Sequence, residues 1–451
     1  MKKVLYIVYY YPPVGGSGVQ RGVKFSRYLP ASDWESIVLT PHPALLKHPR
    51  DTSLLADLPP EQWIYRSFIL DARWLFKLLW GLRLPGVVNW LRYHVFIPDA
   101  EILWLPFARH KIRKIMRRHA IDLVFCSGPP FSPMLLGKWI RRKSKVPFVI
   151  DFRDDWSQGQ SRLDNPPPRF FTRLEARLEH GALREADHVV VVNEAYKRDF
   201  LQLYPDLQAV HFSVITNGYD ESDFALQVEP RKTERDILQI VHAGVLFGRR
   251  HPGKTWQALT DLTKAGEIDP ERVRVHLYGH NFASFVFRGF ESDPTIRRIV
   301  QLHPYLPHGE MLPVMLQADV LWLFSGPGAK SDAELPGKLF EYLRCAKPIL
   351  AMIHPTGVCA AELMPSGLAY IADNESVDSI AEQIKAIYQN WLAGKLQPEP
   401  NWEHIRGFER RSLTRKLAQV FDQTLLSSPF TAARSANQPE DKSQSRQESR
   451  P

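Results

Sequence analysis

Short continuous apolar runs alternate along this chain with longer stretches in which apolar residues recur every third or fourth position. The first pattern is that of strands buried on both faces, and the second that of helices covering them. In the first half it predicts strands at Val4–Tyr11, Ser36–Thr40, Asp122–Ser127, Phe148–Phe152, His188–Asn193 and Ser213–Thr216. Helices are predicted over Val19–Leu29, Phe107–His119, a stretch ending near Trp139, Phe170–Leu183 and Glu194–Leu203. A polar stretch, 221–236, interrupts the alternation, which restarts at Ile237–Gly244. It continues through strands Val273–Gly279, Val300–His303, Ala318–Phe324, Pro348–Ile353 and Leu368–Ala372. Helices Thr255–Lys264, Thr295–Ile299, Gly309–Leu316 and Val377–Trp391 lie among these strands. Each half is therefore an α/β unit with a parallel sheet. The expected domains are 1–220 and 236–400, with ligands in the cleft between the carboxyl ends of the two sheets. A last amphipathic helix, Glu409–Leu426, follows, and then a polar tail, 427–451, expected to be disordered.

The alternation breaks down between residues 41 and 101, an insertion rich in Trp, Leu and Arg. Its most apolar part, Phe68 to Pro98, is punctuated by Asp71, Arg73, Lys77, Arg83, Pro85 and Arg92 and so cannot span a bilayer. Aromatic residues interleaved with cations suit the headgroup boundary of a membrane; they suit equally an inserted helical hairpin packed against itself. The net charge of +9 calls for an acidic partner, and nucleic acid, anionic lipid and phosphorylated small molecules all qualify. No nucleic-acid recognition motif accompanies the charge, and the basic run Arg109–Arg118 reads as a solvated helix face. Three cysteines without metal-ligand spacing suit a reducing, cytoplasmic compartment and offer no metal site. The apolar run at Val4 is short and leads into Pro12-Pro13 and a glycine loop, so it reads as a first buried strand rather than a targeting segment.

Candidate chemistry gathers where strands end. Gly15-Gly-Ser-Gly18 joins the first strand to the first helix, where backbone amides can approach a ligand or simply turn the chain. Asp151-Phe-Arg-Asp-Asp-Trp156 sets an arginine among three carboxylates at a strand end, suited to acid-base work, to orienting a sugar, or to a structural ion network. Gly244 is followed by Arg249, Arg250 and Lys254. The richest stretch is Asp332-Ala-Glu-Leu-Pro-Gly-Lys-Leu-Phe-Glu-Tyr-Leu343, a loop feeding a helix in which Pro336 is expected at the first helical position. Lys338 and Glu341 share a face there, so the amine can meet phosphates while the carboxylate accepts from ribose hydroxyls. A self-capped helix carrying a solvated Lys–Glu pair is the alternative.

With Gly15-Gly16, Asp151–Trp156, Asn217-Gly-Tyr-Asp220, Gly244 with its cations, and Pro336-Gly-Lys-Leu-Phe-Glu341 in this order, the chain resembles the family 4 glycosyltransferases of the GT-B fold. The resemblance runs from Met1 to about Leu426. It implies two Rossmann-like domains, a nucleotide-diphosphate sugar donor held mainly by the second, and a glycan or lipid-linked acceptor held mainly by the first. It further implies retention at the transferred carbon, no cofactor or bound metal, a role in cell-surface polysaccharide synthesis, and a final helix returning to the first domain. Residue by residue, it points to Gly15, Gly16, Gly244, Arg249, Lys338, Glu341 and Glu334 for the donor, and to Arg250 (or Arg249) with Lys254 for the leaving diphosphate. The family's paired glutamates are eight apart, which would put the first at Ala333 rather than Glu334, and its usual histidine is missing from Ser127-Gly-Pro-Pro-Phe-Ser132. Asp154 or Asp155 then stands in for it, or the donor phosphate serves as base. A catalytically silent binder of nucleotide sugars, or a scaffold, is the alternative to an enzyme, and the inner face of an anionic membrane is an expected partner.

Overall fold

The computed structural model describes residues 1–46, 48–164, 166–225 and 236–428. Most of the polar stretch expected to divide the domains, and the tail from residue 429, lie outside the described residues.

The first domain is built from β1 (Lys2–Val8), α1 (Ser17–Tyr28), β2 (Trp34–Pro41), β3 (Ile64–Ser67), α2 (Ala72–Gly81), α3 (Pro85–His94), α4 (Leu105–Arg118), β4 (Leu123–Gly128), α5 (Ser132–Ser144), β5 (Phe148–Phe152), α6 (Gln160–Asp164), α7 (Arg169–Glu185), β6 (His188–Val191), α8 (Glu194–Leu203) and β7 (Phe212–Val214). Its seven strands lie in the order β3-β2-β1-β4-β5-β6-β7, with every pair parallel.

The second domain contains β8 (Leu238–Ala243), α9 (Gly253–Lys264), β9 (Val273–Tyr278), α10 (Ala283–Val286), α11 (Pro294–Ile299), β10 (Val300–His303), α12 (His308–Gln317), β11 (Val320–Phe324), α13 (Lys338–Cys345), β12 (Ile349–Ile353), α14 (Val358–Leu363), β13 (Ala369–Asp373), α15 (Val377–Leu392) and α16 (Trp402–Arg406), and α17 (Arg410–Ser427) ends the described chain. Its six strands lie in the order β10-β9-β8-β11-β12-β13, again all parallel.

The central strands are buried on both faces because their residues are apolar on both: β4, β5, β11 and β12 have no exposed position. Small residues set the helix-to-sheet distance. A Cβ at Gly137 of α5 would overlap the Phe148 ring of β5, so α5 lies as close to the sheet as a glycine allows.

In each sheet the strand order reverses once, between β1 and β4 and between β8 and β11. At such a reversal neighbouring connections leave the sheet in opposite directions and open a crevice beyond the strand ends. The two domains meet across these crevices.

Helix α17 packs on the first domain although it follows the second in sequence. Its Leu413, Leu417 and Phe421 are buried in the first domain's core, with the Phe421 ring against Trp34 and Phe125. The two stretches joining the domains run side by side: Arg410 N donates to Tyr219 O at 2.8 Å and Tyr219 N to Phe408 O at 3.2 Å.

Between β3 and α4 the insertion forms a hairpin of α2 and α3. Phe76 packs edge-on against Phe96, and Val88 and Ala72 are buried. Its other side is open, with Leu78, Trp80 and Leu82 each about 60% exposed and Trp90 55%. No helix among the described residues is long and apolar enough to cross a membrane.

Candidate functional site

On the first domain, the loops after β1, β4 and β5 are tied together by Arg153. Its guanidinium donates to Gly128 O (Nε, 3.1 Å), to Pro129 O and to Gly18 O. The arginine expected among three carboxylates therefore serves three backbone carbonyls instead, clipping the glycine loop to the neighbouring strand ends. The first carboxylate of that motif, Asp151, is fully buried; it accepts from Arg21 Nη2 at 2.7 Å and Nε at 3.1 Å, and from Ser127 Oγ at 2.7 Å. Arg21 also donates to Ile215 O and Thr216 O, which completes a buried ion network joining α1, β5 and the end of β7. Asp151 is thus structural.

The other two carboxylates line the cleft. A cavity of about 360 Å3 lies between Asp154, Asp155 and Tyr196 of the first domain and Arg249, Lys330 and Glu334 of the second. Asp154 reaches the solvent of the cleft, yet the walls around it push its pKa up. Asp155 is pushed up to about 7, first by burial and further by the carboxylates of Asp199, Glu179 and Asp154, against the opposing pull of Lys330. Such a carboxyl exchanges its proton near neutral pH.

The cleft is drawn together by polar contacts between the domains. Lys330 pairs with Asp199, Arg198 with Asp332 at 3.4 Å, Arg249 Nε with Asp164 at 3.2 Å, and Asn193 Nδ2 donates to Ala333 O at 3.0 Å.

On the second domain the site is organised around Gly244, just past β8 at the sheet's reversal point. Its φ of +145° is open only to glycine, and a Cβ would fall on Lys338 Nζ. The loop is held by Gly244 N donating to Tyr278 O (2.7 Å), Leu246 N to Asn281 Oδ1 (2.8 Å) and Ala243 N to Tyr342 Oη (2.9 Å). Lys338 starts α13 and folds back over this loop to donate to Ala243 O. Its pKa is pushed down to about 8, mostly by burial and then by the Arg250 guanidinium. Arg250 in turn pairs with Glu334 Oε1, while Glu334 Oε2 accepts from Gly326 N at 3.2 Å. Glu341, one turn into α13, accepts from His308 Nε2 at 2.8 Å, and this contact raises the His308 pKa.

The structure therefore brings Gly244, Lys338, Arg250 and Glu334 together at one strand reversal, with Asp154, Asp155 and Arg249 on the adjoining cavity. Three expected residues lie elsewhere. Lys254 is exposed and donates to Glu375 O at 2.6 Å. Gly15 and Gly16 pack against residues 48–51, with Gly15 N donating to Pro49 O at 2.9 Å, and neither lines the cavity. Pro336 does not open the helix: α13 begins at Lys338, and Pro336 O accepts from Leu339 N in the preceding turn. Sequence reasoning passed over Lys330, Tyr196, Arg21 and His308. Lys330 carried a usable signal, since Ser325-Gly-Pro-Gly-Ala-Lys330 is a glycine loop with a cation directly after a buried strand.

Two parallel α/β domains facing each other across their strand reversals make up the GT-B fold of the glycosyltransferases. Residues 16–223, most of the first domain, match the family model described as Glycosyltransferase Family 4. Among solved structures, the chain is similar to HepE of Anabaena in complex with UDP and glucose (15% identity, TM-score 0.52, covering 97% of this chain and 99% of that one). It is also similar to the sucrose-phosphate synthase of Thermosynechococcus elongatus (13%, 0.60, 95% and 100%) and to the lipopolysaccharide outer core galactosyltransferase WaaB (13%, 0.56, 94% and 99%). At these identities the likeness is one of fold. No curated protein sequence matches the chain.

Proposed function

We propose that this protein is a retaining glycosyltransferase that moves a sugar from a nucleotide-diphosphate donor to a glycan or lipid-linked acceptor, in cell-surface polysaccharide synthesis at the inner face of a membrane. The observation that carries the reading is the pair of fixed cations at the β8/β11 reversal. Lys338 has its pKa lowered first by burial and then by the neighbouring Arg250 guanidinium, so two cations face one another beside Gly244. A diphosphate supplies the opposite charge. As the bond to the sugar breaks, charge grows on the leaving diphosphate, and cations already fixed in place stabilise it without reorganising, so no metal is required. On this reading Arg250 exchanges Glu334 for phosphate, and Glu341 accepts from the ribose while His308 holds its Oε1. Asp155, across the cavity, is the base for the acceptor hydroxyl, in keeping with its pKa near neutrality. The bound UDP of HepE and the galactosyl transfer of WaaB point to the same class of donor.

The Arg250–Glu334 pair also keeps open a catalytically silent nucleotide-sugar binder, with the cation retained by its own carboxylate. A thermal-shift series over nucleotide diphosphates and their sugars, followed by assay of donor hydrolysis, separates the readings. A true donor at a hundred times its Kd stabilises by about 2.7 kcal/mol. Arg250→Ala should remove both the shift and the hydrolysis. A shift without turnover of any bound sugar nucleotide would leave the binder.

A further inference from the structure

We propose that the α2–α3 hairpin and the exposed start of α7 form one docking surface for an anionic lipid bilayer. This deepens the acceptor part of the reading above.

The hairpin keeps Phe76, Val88 and Phe96 inside and turns Leu78, Trp80, Leu82 and Trp90 outward, about 55–61% exposed. A chain that had merely packed an insertion against itself would not leave this many large apolar side chains in water. The patch does not stop at the hairpin. His94 of α3 stacks on Phe170 of α7, with ring centroids 6.4 Å apart and planes 15° apart, and Phe170 is itself 61% exposed. Leu163, at the end of α6, is 44% exposed, and its neighbour Asp164 pairs with Arg249 at the cavity. Exposed apolar side chains thus extend from the hairpin to the start of α7.

Charge identifies the occupant. Between Phe68 and Pro98 the single acid, Asp71, already holds Arg73 at 2.8 Å, so the charges left at the surface there, Lys77, Arg83 and Arg92, are all positive. Helix α7 continues the pattern. Arg169, Arg173 and Arg177, four apart, lie on its exposed side, while Glu175 and Glu179 point inward and are held by Arg162, Ser157 and Tyr204. Tryptophan and leucine ringed by cations match the boundary between acyl chains and anionic headgroups. A second copy docking about a twofold axis would set these cations against themselves, which disfavours that occupant. Seated on the bilayer by this surface, the first domain holds its side of the cleft close to the membrane in which a lipid-linked acceptor is anchored.

The test is flotation of the full chain with vesicles of phosphatidylcholine plus phosphatidylglycerol, and with phosphatidylcholine alone, at low and high salt. The chain should float with the anionic vesicles and be released by salt. Lys77→Gln/Arg83→Gln/Arg92→Gln, confined to the surface, should weaken binding roughly a hundredfold, each cation near such a membrane being worth roughly a factor of five. Leu78→Ser/Trp80→Ser/Trp90→Ser should abolish binding while leaving the nucleotide-induced thermal shift intact. If that variant fails to fold, the charge variant decides. No flotation, or equal flotation of wild type and charge variant, overturns the proposal. A wild-type dimer in solution that the apolar variant splits assigns the face to a second copy and overturns it as well. Either result, with the nucleotide shift preserved, leaves the transferase reading standing.

Discussion

Replacing Lys338 with methionine should make the protein more stable and unable to bind nucleotide. An amine whose pKa falls from 10.5 to about 8 on folding carries its charge in the folded protein at a cost of about 3 kcal/mol at neutral pH. Methionine removes that cost, keeps most of the aliphatic packing, and forfeits the hydrogen bond to Ala243 O, worth about 1 kcal/mol. The net gain is about 2 kcal/mol, or a Tm rise of about 4–8 °C for a domain of this size. The pH dependence follows from linkage. Below about pH 8 the amine is charged both folded and unfolded, and the cost is present in full. As pH rises from about 8 toward 10.5 the folded amine releases its proton first, the unfolded chain binds more protons, and wild-type stability climbs. Differential scanning fluorimetry of both proteins from pH 7 to about pH 10 reads this directly: the advantage of the variant should shrink with rising pH. Nucleoside diphosphate should shift the wild type and not the variant. A variant less stable than wild type at pH 7, or an advantage that does not change with pH, would refute the idea that Lys338 is held charged at a cost for an anionic ligand.

Three more outcomes are expected. Asp155→Asn should lower turnover by about 10²–10⁴ and flatten a pH–rate profile that in the wild type rises through about pH 7, as the Asp155 carboxylate forms. Asp151→Asn leaves Arg21 charged and uncompensated among buried atoms, so denaturant unfolding should show a loss of about 3–5 kcal/mol; Arg21→Met with Asp151→Leu should recover most of it. Gly137→Ala forces a methyl into the Phe148 ring and should cost about 1–3 kcal/mol, seen as a lowered Tm with nucleotide binding retained.

The fold was largely written in the alternation of apolar runs, because parallel strands buried on both faces leave an uninterrupted signal. Phe148–Phe152, Val300–His303 and Glu194–Leu203 match the observed elements residue for residue. Strand β3 was missed: Ile64-Tyr-Arg-Ser67 lies at a sheet edge and is mostly half-buried, and four residues of mixed polarity carry little periodicity. The candidate site was legible only in part. Glycines at strand ends could be found because they punctuate the pattern, and Gly244 was one of them. Which cation serves which loop depends on side chains from elements far apart in sequence. Lys338 reaches back 95 residues to Ala243 and Arg250 spans 84 to Glu334, while Lys254, four residues beyond Arg250, turns away to Glu375. Arg21 looked like an ordinary helix arginine, and only the burial of Asp151, 130 residues later, gives it a partner.

The place of α17 has a consequence for how this protein is made. The first domain's core includes Leu413, Leu417 and Phe421, so its apolar surface around Trp34 and Phe125 stays uncovered until the ribosome has synthesised the entire second domain. At about 5–20 residues per second the intervening two hundred or so residues take roughly 10–40 s. For that interval the nascent chain carries a nearly complete sheet with one open side, the kind of surface a chaperone would hold. Completion of the first domain then waits on synthesis of the second.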